Sequence, residues 1–328
     1  VKAWRVHENG EPREAMRLDE VPDPQPGPGE VLVRVRAANI NFPDALLCRG
    51  QYQIRPPLPF TPGVELCGEI LALGEGVTGL DIGARIISPA SLPHGAFAEL
   101  AVVSAASVLP APEALDDAEA AALHIGYQTG LFGLHRRAAL QPGETLLVHA
   151  AAGGVGSAAI QLGKAAGATV IGVTGGPDKA KVARDLGADL VVDRYSEDFV
   201  AVVKEATNGR GANVVYDPVG GDAYTKSTKC IAFEGRIVIV GFTSGTVPSP
   251  GLNHALVKNY SILGLHWGLY NTKDPQAVLQ AHETLTRLAA EGSVKPYISE
   301  RVALTDAAEA VQRVADGKTT GRVVVVNA

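Results

Sequence analysis

Cysteine is scarce in this chain. The three present among 328 residues, Cys48, Cys67 and Cys230, are far apart and odd in number. That excludes a disulfide framework and a clustered thiolate metal site, and it suits a reducing compartment. Buried, inert thiols are the expected state of all three. Long apolar runs are also missing: no uninterrupted stretch approaches the roughly 20 residues needed to span a bilayer. The opening segment VKAWRVHENG has neither an apolar signal core nor an Arg/Ser-rich transit pattern, so a cytoplasmic protein is expected. No basic cluster occurs, and the net charge is −6. Nucleic acid and anionic membrane are therefore poor partners. Repeats of solenoid length and low-complexity tracts are absent as well.

What is present reads as a large globular protein. Hydrophobic residues make up 46% and charged residues 20%. The length favours two domains, and a chain of this size buries roughly three quarters of its unfolded surface. Residues 31–37 (VLVRVRA) alternate apolar and charged side chains, the pattern of a half-buried strand. The preceding 21–30 segment, VPDPQPGPGE, holds four prolines and two glycines and reads as a surface turn. Short strands are expected at 65–73, 84–88 and 97–103, which makes the first part β-rich and mostly antiparallel.

After Asp116 the texture changes to strand, helix, strand, helix, the pattern of a parallel sheet wrapped by helices. Strands are expected at 145–150, 169–173, 190–193, 213–216, 236–240 and 261–265. Helical spacing fills 155–166, 177–186, 197–206 and 222–230. Six strands with intervening helices make a complete doubly wound dinucleotide-binding sheet, a Rossmann fold. The tail adds helices near 274–291 and 306–316 and a strand at 322–326.

The strongest local motif is LLVHAAAGGVG, from Leu146 to Gly156. Counted from Ala151 it reads A-x-G-x-x-G, a buried strand running through a tight small-residue turn into a helix. Ala152, Gly153, Gly154 and Val155 would let backbone N–H groups approach a pyrophosphate at the helix N-terminus, and Gly156 would let the helix pack on the strand. The strand–turn–helix context with five further strands separates this from a merely connecting Gly-rich loop. NAD-specific sites usually place an acid at the end of the second strand. Here the strand ends Gly172-Val173-Thr174-Gly175-Gly176, with Lys179 and Arg194 nearby. Asp178 lies beyond, in what reads as a helix N-terminus after Pro177. Two cations, with Gly175 in place of an acid, favour a 2′-phosphate and hence NADPH. Either cation taken alone reads equally well as solvated surface charge.

The segments NINFPDALLCRGQY, PFTPGVELCGEI, AAGGVGSAAIQLGKAAGA, VVYDPVGG, GRIVIVGF and TTGRVVVV cover most of the chain. Together and in this order they resemble the zinc-free quinone oxidoreductase (ζ-crystallin-like) branch of the medium-chain dehydrogenase/reductase superfamily. The resemblance implies an α/β architecture. It has a GroES-like β-rich catalytic domain at 1–122, completed by 267–328, and a Rossmann NADP-binding domain at 123–266.

Zinc-using members of that superfamily carry a Cys in the segment equivalent to 39–44 and a His before the Glu of a G-H-E motif. This chain has Asn41 and, before Glu65, Val64. A neutral amide is a weak zinc ligand and Val is none, so catalytic zinc is not expected. Without a Lewis acid a simple carbonyl is hard to reduce, whereas an enone or quinone spreads the incoming charge into an enolate or hydroquinone anion.

The resemblance further implies that Asn41 and Tyr52 face the nicotinamide and the acceptor, with Tyr52 the candidate proton donor. An ordinary loop aromatic is the competing reading of Tyr52. Thr129 matches a position near the carboxamide, Gly241 and Phe242 a passage close to the nicotinamide ribose, and Arg322 a position near the cofactor. His266 and Trp267 could line the acceptor pocket, although Trp267 reads equally as an interface or core aromatic. His124 stands where the family commonly has proline, which leaves the local loop shape open. The expected activity is NADPH-dependent reduction of quinones or related enones. The rivals are an enoyl thioester reductase on the same scaffold and a non-catalytic NADPH-binding protein. The sixth strand of the Rossmann sheet is an uncharged edge, so a homodimer is expected.

Overall fold

The alternation at 31–37 lies inside a longer strand, Glu30–Asn39, which organises the first part of the chain. In the computed structural model, which describes residues 1–327, this strand has neighbours on both edges. Glu65–Leu73 pairs along one edge, while Leu100–Ser104 and Arg322–Val326 share the other, at residues 30–34 and 37–39 respectively. Arg85–Pro89, Leu109–Pro110 and Ile298–Ala303 complete the sheet. All these pairings are antiparallel except Ile298–Ala303 with Arg322–Val326, which run parallel. The inward residues Val31, Val33 and Val35 pack with Ile70, Phe97, Val103 and Val325 in one apolar cluster. Burial of such side chains, each stabilising by about 1.5–3 kcal/mol, drives this half. The register brings three strand ends together: Asn39 lies beside the start of Glu65–Leu73, and Ile40 N–H donates to Val323 O, next to Arg322.

The six expected parallel strands all form: β1 (Thr145–Val148), β2 (Thr169–Thr174), β3 (Leu190–Asp193), β4 (Ala212–Asp217), β5 (Ile231–Ile239) and β6 (Ser261–Gly264). Their order is β3-β2-β1-β4-β5-β6, the doubly wound Rossmann order. Helices α1 (Gly154–Ala165), α2 (Pro177–Asp185), α3 (Phe199–Ala206) and α4 (Gly221–Ser227) connect them. The central strands are mostly apolar, as burial on both faces demands, with Leu147, Val148, Ile171 and Val215 fully buried. The order reverses between β1 and β4, and in open α/β sheets ligands bind beyond the strand ends at such a point.

The chain divides into two compact units, Val1–Ile125 with the chain from Lys295 on, and Gly126–Val294. Both limits differ from the expected 122/123 and 266/267. Gln128 explains the later return. It accepts a hydrogen bond from Trp267 Nε1 (3.1 Å) and donates one to Val278 O (3.0 Å), tying 267–278 to the Rossmann unit. Helix Pro275–Ala290 then buries Val278, Ala281 and Leu285 there. Strand Ile298–Ala303 and helix Leu252–Lys258 were not expected, the latter because its Leu252, Leu256 and Val257 are about three-quarters exposed, without an inward apolar stripe. No helix among the described residues is long and apolar enough to cross a membrane.

Candidate active site

The candidate dinucleotide site begins where β1 ends. Ala150 adopts φ 48, Gly153 N–H closes the turn on Ala150 O at 2.8 Å, and α1 starts at Gly154. A Cβ on Gly156 would stand 2.2 Å from Ala150 O, so only glycine lets α1 sit this close to the turn. Ala152 is buried, and Gly153, Gly154 and Val155 are half-buried at the helix start. Gly153 is the N-cap and supplies no side-chain cap, which leaves the first-turn N–H groups of a twelve-residue helix for another acceptor. That cradle fits a pyrophosphate.

At the end of β2, Gly175, Lys179 and Arg194 converge. A Cβ on Gly175 would lie 3.1 Å from Arg194 Nε and 3.1 Å from the Tyr195 ring edge. Lys179 has its pKa lowered, first by burial and then by the Arg194 charge. The nearby acid, Asp193, reaches the same strand end but is held by backbone. Its Oδ1 accepts from Gly176 N–H (2.9 Å) and Tyr195 N–H (3.1 Å), and these two bonds hold its carboxyl below the usual range. Two cations held close enough to repel, with one oxygen of the Asp193 carboxylate bonded to backbone, fit a dianionic 2′-phosphate better than a ribose hydroxyl. Sequence reasoning missed Tyr195. Its position next to Arg194 was the only signal.

Beyond β4, Asp217 Oδ1 accepts from Val219 and Gly220 N–H groups at 2.8 and 3.0 Å and fixes the 217–221 turn. Phe242, 39% exposed, lies over that turn: a Cβ on Gly220 would come 2.8 Å from its ring. Gly241 faces Pro218 in the same way, at 3.4 Å. Thr129 is buried on helix His124–Leu131, and His266 is exposed after β6. Trp267 is buried and donates to Gln128, so it serves the core of its unit.

The N-terminal unit holds a buried polar cluster at the three strand ends. Asn41 caps helix Phe42–Cys48, and its backbone N–H donates to Asp44 Oδ2 at 2.8 Å. Its Nδ2 donates to Glu65 Oε1 (2.8 Å), and its Oδ1 accepts from Arg322 Nη1 (3.0 Å). Glu65 also accepts from Asn39 Nδ2 at 2.7 Å and from Ile125 N–H at 2.9 Å. Burial raises the Glu65 pKa, and Arg322 leads the groups that oppose the rise. Asp44 is pushed up to about 7 by burial, against hydrogen bonds from the Asn41 and Gly63 backbones. Tyr52 is half-buried, and burial followed by the Asp44 charge raises its pKa. Sequence reasoning singled out Asn41, Tyr52 and Arg322 but missed Asn39, Asp44 and Glu65 as partners. A buried carboxylate at a strand start leaves no periodic trace. His124 is buried at the start of its helix. No group of three or more His, Cys, Asp or Glu side chains able to hold a metal occurs among the described residues.

Comparison with known proteins places these features in one family. The family model described as alcohol dehydrogenase GroES-like domain matches residues 27–113, and that described as zinc-binding dehydrogenase matches residues 154–284. The second match spans neither residue 41 nor residue 64. A Nematostella vectensis relative called quinone oxidoreductase-like protein 2 homolog is 40% identical over 91% of this chain and 82% of its own. The Escherichia coli quinone oxidoreductase solved with NADPH is 31% identical, with TM-score 0.92 over 100% of both chains. A structure described as an NAD-dependent alcohol dehydrogenase is 30% identical, with TM-score 0.88 over 100% of both chains, so likeness of fold does not choose the nicotinamide cofactor. The chain belongs to the quinone oxidoreductase branch of the medium-chain dehydrogenase/reductase superfamily.

Proposed function

We propose that this oxidoreductase uses NADPH to reduce quinones or related α,β-unsaturated carbonyls, without zinc. The observation that carries the cofactor choice is the convergence of Gly175, Lys179 and Arg194 while Asp193 is bonded to backbone. The 153–156 turn and the α1 N-terminus would hold the pyrophosphate, and Lys179 with Arg194 the 2′-phosphate. Bound NADPH supplies a hydride. The chain's part is to hold cofactor and acceptor in a reactive arrangement and to steady the negative charge left on the acceptor oxygen. Tyr52 is the proposed hydroxyl donor to that oxygen. Its half-buried position allows the hydroxyl to remain protonated at neutral pH.

The same reading makes the protein cytoplasmic and homodimeric. Support for the dimer is the edge position of β6, with Ser261 and Ile262 exposed, beside the exposed Leu252, Leu256 and Val257. Sedimentation should give a dimer at micromolar concentration, and a monomer there would remove that part.

The deciding experiment follows NADPH absorbance with a panel of a quinone, a simple enone and an enoyl thioester. Turnover with the quinone or enone supports the proposal. Turnover with the thioester alone would transfer the enzyme to that chemistry, and NADPH binding without turnover on any acceptor would make it a binding protein.

A further inference from the structure

The Asn41 amide is engaged at both ends inside its own unit. Nδ2 gives one bond to Glu65 Oε1 at 2.8 Å and a longer one to Asn39 O at 3.4 Å. Oδ1 receives Arg322 Nη1 at 3.0 Å and Asn39 Nδ2 at 3.4 Å. Only this amide orientation pairs donors with acceptors. The flipped one would set Oδ1 against a carboxylate oxygen and Nδ2 against a guanidinium N–H. Both neighbours are buried, Glu65 at 0% and Arg322 at 4% exposure, so water cannot repair a mismatch.

Glu65 is what breaks the symmetry. Every hydrogen bond to it comes from a donor: Asn39 Nδ2, Asn41 Nδ2 and Ile125 N–H. Burial raises the Glu65 pKa, but a carboxylate suits that set of donors, and the Arg322 charge opposes the rise. A neutral amide at position 65 would offer one oxygen and one NH₂ group to three donors.

We propose that Glu65 is a positioning residue for the hydride transfer inferred above, fixing the Asn41 amide in one orientation between itself and the Arg322 guanidinium. The inference rests on that functional reading for its catalytic sense, but the hydrogen-bond logic stands on the geometry alone. The negative charge must lie on one of the two residues 41 and 65, and on one only.

A charge-exchange cycle tests this with the full chain. Glu65→Gln leaves donors facing donors, and Asn41→Asp sets two carboxylates against each other. The double variant Asn41→Asp/Glu65→Gln restores the 41–65 pair: the carboxylate now at position 41 accepts from Arg322 and from the amide now at position 65, and Asn39, which donates to the same Glu65 oxygen in the parent, turns its amide oxygen towards that NH₂ group. Each single variant should lower kcat by about tenfold to a hundredfold, the scale of a hydrogen bond to a buried charge, with the NADPH dissociation constant little changed. The double variant should regain about tenfold over the worse single in kcat, and its thermal midpoint should rise in step. Recovery of the thermal midpoint with kcat still low would reduce Glu65 to a fold-holding role and overturn the proposal. Absence of recovery in either measurement would overturn the hydrogen-bond logic itself. A parent enzyme that oxidises no NADPH with any acceptor would instead sink the functional reading, and the thermal cycle would still decide whether Glu65 sets the amide.

Discussion

The Arg194 guanidinium lies over the ring of Tyr195, 4.7 Å from its centroid, while its Nη2 donates to the Tyr195 hydroxyl at 3.0 Å. Stacking and hydrogen bond together hold an otherwise mobile cation beside Gly175 before any ligand arrives. Preorganised donors lose less entropy on binding. The pair is therefore expected to act as a unit in cofactor choice.

NADPH should accordingly bind much more tightly than NADH. Charge-assisted bonds to phosphate contribute about 1.5–3 kcal/mol each, so Lys179→Ala or Arg194→Ala should weaken NADPH by about tenfold to a hundredfold and leave NADH nearly untouched. Tyr195→Ala should cost NADPH a smaller factor, on the order of threefold, by freeing the guanidinium. Fluorescence titration of both cofactors checks this. Equal affinities in the parent chain would remove the 2′-phosphate site.

Metal independence is expected from what surrounds residue 41. The Asn41 amide is bonded to Glu65 and Arg322, and Val64 offers no ligand atom at the other position where zinc-using relatives carry one. A buried guanidinium beside that site also disfavours a divalent cation. Prolonged chelation should leave turnover unchanged, and elemental analysis should find no stoichiometric zinc. Zinc lost together with activity would refute the site assignment.

Acid stability should carry the mark of His149. Its ring is buried, bonds Ser227 Oγ at 2.7 Å, and stacks edge-on to Phe199. Burial lowers its pKa to about 4, with Asp217 opposing. The folded protein thus keeps the ring neutral where the unfolded chain protonates it, below about pH 6.5. The unfolded state binds more protons in that window, so stability falls as pH drops from about 6.5 towards 4 and is unaffected above it. The loss should be on the order of 3 kcal/mol by pH 4. Denaturant midpoints of the parent and His149→Gln, measured from pH 7 to 4.5, should converge as pH falls. Parallel curves would show that His149 does not titrate this way.

How much of this was legible in the sequence depends on what each residue touches. The Rossmann strands were readable because both faces of a parallel sheet are apolar, so β2, β3 and β4 stand out as continuous runs. The 150–156 turn was readable because Gly156 has no substitute at 2.2 Å from Ala150 O. The later return to the first unit was not, since the residue that delays it, Gln128, is one polar side chain whose partners lie at 267 and 278. Glu65 and Asn39 were invisible for the same reason. Their meaning lies in a register that joins residues 39, 65 and 322, and no local spacing carries it.

Tyr52 gives the riskiest expectation. Burial and the neighbouring Asp44 charge raise its pKa, which makes the hydroxyl a weaker acid but a firm hydrogen-bond donor. Such a group can give up its proton only to a strongly basic oxygen. The enolate left by reducing a simple enone is far more basic than a hydroquinone anion, whose charge is delocalised over the ring. Tyr52→Phe should therefore cost more with enones, approaching the ~10²–10⁴-fold contribution of a general acid, than with quinones, where only a hydrogen bond is lost. NADPH affinity should stay nearly intact in both cases, because the proposed contact is to the acceptor. Steady-state kcat on one enone and one quinone, with NADPH titrated separately, separates the possibilities. Unchanged turnover on both acceptors would leave Tyr52 a packing residue, and proton delivery would then fall to bulk water.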